Sequence, residues 1–244
     1  MHRRPVIVAW SGGKDCTLAL REIESGGEYA PVALLTTVTG EYERISMHGV
    51  RRSLLHAQAA SLGIPLREVE ISPRADNQEY ERNMDAALSE LRAATPSIVG
   101  VAFGDLFLQD IRAYRESMLS RAGLAGIFPL RGRDTRRLAA DFSALGFRAV
   151  AVCVDPTQLD GSFAGREYDD DFVRELPAGV DPCGENGEFH TFVYDGPLFA
   201  RPVAHERGEV VVRDDRFVYA DLQEPAASRR DASDGAEAAP RTES

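Results

Sequence analysis

The segment Ser11-Gly12-Gly13-Lys14-Asp15-Cys16 gathers a hydroxyl, two glycines and an ammonium at consecutive positions. Adjacent glycines let main-chain N–H groups approach an anion without Cβ interference. The helix pattern that follows offers its unpaired amides and the positive end of its dipole to the same point. Lys14 adds a point charge and Ser11 a hydroxyl donor, so the chemistry this set can perform is to cradle a phosphate. It is not the Walker A arrangement, because no GxxxxGK followed by Ser or Thr occurs. Lys14 is also the single lysine among 28 basic residues. Arginine replaces lysine freely as a solvated charge, but not where a compact ammonium must sit in a tight backbone cradle.

Such a loop must be positioned by a strand before it and a helix after it, and the pattern supplies both. Pro5–Trp10 reads as a buried first strand and Asp15–Ser25 as an amphipathic helix stopped by Gly26–Gly27. Strands at Val32–Val38, Leu66–Ile71, Ile98–Phe103 and a short one at Ile127 alternate with helices at Gly49–Leu62, Asp76–Ala94, Gln109–Ala122 and Asp134–Leu145. This alternation predicts an α/β fold, a parallel sheet flanked by helices. Phe147–Val154 reads as the last strand of a main domain covering residues 1–154. A smaller C-terminal α+β region follows over 155–222, where Gly and acidic residues are frequent and a β-hairpin is expected around Asp214–Asp215. From residue 223 to 244 there is no aromatic residue and no aliphatic one larger than Ala, which predicts a disordered tail.

The chain has 244 residues, 28 basic against 39 acidic, for a net charge of −11. That balance argues against general nucleic-acid binding, which needs many basic contacts to phosphate. No apolar run is long enough to span a bilayer, and no signal peptide is expected. Cys16, Cys153 and Cys183 are scattered with no CxxC pair, which disfavours a disulfide framework or structural zinc and fits a reducing cytoplasm.

The loop SGGKDC resembles the PP-loop of ATP pyrophosphatases, usually SGGxDS. Two further blocks narrow the resemblance to the diphthine–ammonia ligase family (ATP-binding domain 4 proteins). One is Gly104-Asp105-Leu106, with Arg112 and Glu116 following at the family's spacing. The other is Gly184-Glu185-Asn186-Gly187-Glu188-Phe189-His190-Thr191, then Tyr194-Asp195-Gly196-Pro197-Leu198-Phe199, similar to GEGGEFET…D-x-PLF. The resemblance implies an adenine nucleotide α-hydrolase-like, Rossmann-like fold binding ATP at the carboxyl ends of its strands. It also implies that a substrate carboxylate attacks the α-phosphorus of ATP, releasing pyrophosphate, and that ammonia then displaces AMP to leave an amide. ATP and Mg²⁺ are the expected cofactors, with Ser11, Gly12, Gly13, Lys14, Asp15, Cys16, His48 and Gly104 on the nucleotide. Arg112, Asn186, His190 and Thr191 fall on the substrate side.

Lys14 and the backbone of Gly12–Asp15 would stabilise charge on the departing pyrophosphate. Asp15 either orients the loop, holds Mg²⁺ or serves as a helix-start residue. Glu185 and Glu188 suit Mg²⁺ ligation or deprotonation of ammonium, with solvated loop carboxylates as the plainer alternative. Asp105 lies where open α/β sheets contact ligands, or is a turn residue. His48 reaches the nucleotide or sits on an exposed loop. Arg131, Arg133, Arg136 and Arg137 hold pyrophosphate or an acidic substrate, or, as the plainer reading, form a solvent-facing first turn, and Cys153 reads as inert core. Cys16 stands at the loop's usual serine position, where a helix N-terminus lowers a thiol's pKa. His190, Asn186, Gly196 and Arg131 depart from the family pattern on the acceptor side. The Arg- and Ala-rich composition resembles bacterial chains, whose acceptor would not be diphthine. The expected partners are ammonium and a small-molecule or protein-borne carboxylate, with a homodimer allowed. Two other readings are a nucleotide sensor without turnover and a tRNA sulfur transferase. The latter needs a basic face and paired cysteines that this chain lacks.

Overall fold

Apolar, β-branched runs become the strands of two sheets in the computed structural model, which describes residues 2–42, 44–45, 49–73, 75–106, 109–213 and 216–225. The first sheet holds β1 (Arg4–Ala9), β2 (Tyr29–Thr39), β3 (Arg44–Ile45), β4 (Leu66–Ile71), β5 (Gly100–Ala102) and β6 (Ala125–Ile127). All pairings are parallel except that of β3 with the end of β2. The helices are α1 (Lys14–Gly26), α2 (Arg52–Leu62), α3 (Asn77–Ala94) and α4 (Gln109–Arg121). Val6, Val8 and Leu34 pack with Leu20 of α1 and Leu54 of α2. Ile7, Leu35 and Val101 pack with Met84 of α3 and Met118 of α4 on the opposite face. Burial on both faces is why β1 reads as an unbroken apolar run rather than an alternating one.

From β1 the chain winds outward through β2 to β4, whereas β5 and β6 lie on the other side of β1. The winding therefore reverses between β1 and β5, and such a reversal opens a crevice at the carboxyl ends of the two strands. The glycine loop follows β1 and Gly104-Asp105 follows β5, so two motif blocks meet there by topology alone.

The second sheet is antiparallel in the order β8-β7-β10-β9, from β7 (Arg148–Val154), β8 (Phe189–Asp195), β9 (Glu206–Arg213) and β10 (Phe217–Gln223). It is accompanied by α5 (Thr135–Ala144) and α6 (Asp170–Glu175), with Phe142, Phe172 and Phe189 at the centre of its core. This corrects one expectation. The strand read at Phe147–Val154 does not close the parallel sheet but sits inside the antiparallel one. Its run Ala149–Val154 is buried on both faces, and a doubly buried strand carries no mark of which sheet it joins. The two sheets thus divide the chain between β6 and β7. The hairpin expected around Asp214–Asp215 is the β9–β10 pair, although those two turn residues, His48 and residues 226–244 lie outside the described residues. No described helix is long and apolar enough to cross a membrane.

Candidate active site

The glycine loop is held from two directions. Helix α1 starts at Lys14 with Gly13 as its cap and no side-chain capping bond. The first turn leaves the amides of Asp15 and Cys16 without a carbonyl partner inside the helix. Gly12 has a φ of +77°, and a Cβ there would lie 2.6 Å from the Gln58 Oε1 atom. Gln58, fully buried on α2, accepts from Trp10 Nε1 at 3.1 Å. Its Nε2 donates to the carbonyls of Gly12 at 3.0 Å and Val193 at 2.6 Å. From β8 of the other sheet, the Val193 amide donates to the Gly12 carbonyl at 2.9 Å. The Lys14 amide donates to Thr191 Oγ1 at 3.0 Å.

The Lys14 side chain is anchored rather than free. It is 2% exposed. Its ammonium donates to Asp15 Oδ1 at 3.0 Å and Oδ2 at 2.8 Å, and also to the Cys183 carbonyl. It lies 5.5 Å from the Phe189 ring centre and 5.8 Å from that of Tyr168. Burial lowers its pKa, but Asp15, Cys183 and Glu185 together more than compensate, so the ammonium stays charged. Burial also holds Asp15 above the usual carboxylate value against the pull of Lys14. The hydrogen bond from Lys14 to the Cys183 carbonyl therefore ties the loop to the segment that begins the third block.

Gly104 lies just beyond β5, against the first turn of α1. A Cβ there would lie 2.6 Å from the Asp15 carbonyl carbon and 2.8 Å from the Cys16 nitrogen, so only glycine allows this approach. Asp105, next in the chain, pairs with Arg115 of α4, whose guanidinium lies 4.3 Å over the Phe103 ring. Burial raises the Asp105 pKa despite that partner. Arg112 is not where it was expected. It bonds Glu116 at 2.6 Å and lies 5.2 Å over the Phe128 ring, outside the cleft lining. Three residues further along α4, Arg115 takes the position facing the cleft. Arg133, pairing with Glu22 and Asp141, is likewise outside it.

In the third block the two glutamates separate in role. Glu185 lines the cleft, and burial followed by the Asp15 carboxylate pushes its pKa up to about 7 against the pull of Lys14. Glu188 was expected beside it, and the structure corrects this. It is 2% exposed and absent from the lining. Its carboxylate accepts from the amides of Asp181 and Asn186 and from Asn186 Nδ2, each at 2.9 Å. Burial would raise its pKa, but these donors prevail and hold it below the usual value. Glu188 is thus the brace of the 181–188 turn, and the Asn186 side chain serves that brace. Thr191, expected on the substrate, lines the cleft, and its hydroxyl accepts from the Lys14 amide. His190 lines the cleft with a pKa lowered to about 4 by burial and then by Lys14, so its imidazole is neutral. The lowered pKa expected for the Cys16 thiol is not what the structure gives. Cys16 is 5% exposed and donates to the Gly13 carbonyl at 3.0 Å, and burial raises its pKa rather than lowering it.

A single cleft of about 600 Å³ joins Ser11–Cys16, Gly104-Asp105 and residues 183–191, and it runs inward along Leu35, Thr36, Val101 and Phe103. Two contributors were not read from the sequence. Gln58 sits one turn beyond Leu54 and Leu55 on the buried face of α2, and a polar residue on an apolar stripe is a signal that was available. Arg115 had no such signal beyond its place near Asp105.

The chain is also similar to known proteins along most of its length. The diphthamide synthase N-terminal domain matches residues 4–126, and the diphthamide synthase C-terminal domain matches residues 134–218. A diphthine–ammonia ligase of Danio rerio is 26% identical over 226 residues, covering 84% of this chain and 88% of its own length. That of Homo sapiens is 24% identical over 226 residues, covering 83% of each chain. That of Schizosaccharomyces pombe is 24% identical over 217 residues, and this chain spans 36% of that longer protein.

Proposed function

Because the chain belongs to the diphthamide synthase family, an ATP-dependent ligase family, we propose that it adenylates a substrate carboxylate with ATP and then transfers ammonia to the acyl carbon. The observation that carries this reading is the convergence of the glycine loop, Gly104-Asp105 and the Glu185 segment on one cleft. In the first step a carboxylate oxygen bonds to the α-phosphorus as the bond to pyrophosphate breaks. In the second, the nitrogen of ammonia bonds to the acyl carbon, the acyl–phosphate bond breaks to release AMP, and the nitrogen gives up a proton.

The residues divide this work. The amides of Asp15 and Cys16, at the uncapped start of α1, face the polyphosphate with the dipole behind them. Lys14 lends its charge from beneath the loop. Arg115, the guanidinium of the cleft wall, holds an anionic group of nucleotide or acceptor. Glu185, with a pKa near 7, takes the proton from ammonium or from the attacking nitrogen. Among the described residues no group of three or more metal-ligating side chains gathers. Mg²⁺ carried by a triphosphate needs only one or two carboxylates, so the site fits it. Asp15 and Asp105 would hold it, and it would neutralise polyphosphate charge. The acceptor is a carboxylate carried by a protein or a small molecule.

The test is the fate of ATP labelled at the α-phosphate, supplied with ammonium and a panel of acids and acidic protein fractions. The expected result is AMP and pyrophosphate in equal amounts, dependent on both co-substrates, with one oxygen of an ¹⁸O-labelled carboxylate recovered in AMP. Lys14→Arg should lower turnover by roughly a hundredfold, because a guanidinium cannot fill a space closed by Asp15, the Cys183 carbonyl and two rings. ATP bound in the cleft without AMP formation across the panel, or release of ADP instead, would overturn the reading.

A further inference from the structure

Strand β9 forms the outer edge of the antiparallel sheet, and it is the most exposed strand of the molecule. An edge strand presents unpaired main-chain groups, and proteins ordinarily blunt it with charge, proline or a bulge. Here only one half is blunted. The register against β10 shifts between Ala220 and Leu222, opposite the Arg207–Val210 stretch, whereas Val210–Arg213 pairs regularly with Phe217–Ala220. That regular half carries the large apolar side chains most exposed among the described residues, Val210 at 52% and Val212 at 67%.

Those valines end a row that begins in the core. Cross-strand pairing runs from Phe189 on β8 to Val154 on β7, then to Val218 on β10 and Val212 on β9. Phe189 and Val154 are buried, Val218 is half-buried, and Val212 stands in solvent. An apolar row that leaves a core and stops in water at an open edge is continued most simply by another strand.

The sequence of β9 states which strand. In an antiparallel pairing with itself centred on Val211, Val210 faces Val212 twice on one side of the sheet. On the other side Glu209 faces Arg213 twice. A two-fold interface requires such self-complementarity. We infer that a second copy of this chain docks along β9 about a two-fold axis at Val211, joining the two antiparallel sheets into one of eight strands. This goes beyond the ligase reading and does not depend on it, since β9 contributes nothing to the cleft lining.

Sedimentation of the full chain across micromolar to submillimolar concentration tests it, with mass as the readout. The expected species is twice the 26.7 kDa chain. Glu209→Arg and Arg213→Glu each set two like-charge pairs across the axis, and each should weaken the dimer by about tenfold or more. The double variant restores opposite charges and should recover wild-type association, which a merely destabilised fold cannot do. Val212→Lys should leave a folded monomer. In wild type, exchange of the Val210–Arg213 amides should slow as concentration rises. A monomer at every concentration overturns the inference, and so does a dimer indifferent to these substitutions or a double variant no better than the singles.

Discussion

Gln58→Leu removes the polar side chain that clamps the loop while keeping a buried side chain of similar size. Trp10 Nε1 loses its acceptor, and the carbonyls of Gly12 and Val193 each lose a donor. Gly12 keeps the Val193 amide as a partner, so its loss is partial. At about 1–3 kcal/mol for each buried group left short of a partner, two full losses and one partial loss sum to roughly 2–7 kcal/mol. For a chain of this size that lowers the melting temperature by roughly 5–25 °C, readable by circular dichroism and by urea titration. Gln58→Glu sharpens the test. The carboxylate still accepts from Trp10 but opposes two carbonyl oxygens, which favours its protonated form in the folded state. Its folded pKa therefore lies above its unfolded one, so the variant is least destabilised below about pH 4 and loses stability as pH rises. A Leu variant melting within about 2 °C of wild type, or a Glu variant equally stable at pH 5 and pH 8, would refute the clamp.

Two further perturbations read the cleft directly. At constant free ammonia, amide formation should rise through about pH 7 and level off as Glu185 loses its proton, and Glu185→Gln should lower the rate and abolish the inflection. Because folding raises this pKa, the native state also loses stability between about pH 4.5 and pH 7, so the Gln variant should gain on wild type in melting temperature above pH 7. Gly104→Ala should weaken ATP binding by at least about tenfold in calorimetry at a stability cost of about 1–3 kcal/mol, since its methyl group meets the main chain of Asp15 and Cys16. Unchanged affinity would show that the first turn of α1 does not hold the nucleotide.

The first sheet was legible because strand and helix periods differ and its loops carry glycine punctuation. Leu66–Ile71 reproduces β4 residue for residue, and Asp76 caps α3 by accepting from the Glu79 amide at 2.7 Å. The placement of β7 was not legible, since partner choice for a doubly buried strand is decided by packing against α5 and β8. Within the site, residue types announced the loop, Gly104 and Glu185. Direction was the hidden quantity. Glu185 and Glu188 are equivalent as letters, yet Gly187, at a φ of +83°, turns the chain between them. One carboxylate then enters the cleft and the other collects the amides of its own turn. Arg112 and Arg115 differ by the same accident of facing.

What makes the cleft a site is that the glycine loop does not hold its own shape. Main-chain amides that converge on one point repel one another and carry the conformational freedom of two glycines, so the cradle needs external support. Gln58 supplies it from α2, Val193 and Thr191 supply it from β8, and the Cys183 carbonyl from the segment before β8. A chain ending after β6 would contain the whole SGGKDC motif and every strand of the first sheet, yet lack three of these four supports. The antiparallel sheet therefore helps to hold the loop's shape. Strand β8 also brings the acidic segment close to the loop, so that Glu185 lines the cleft the loop opens on.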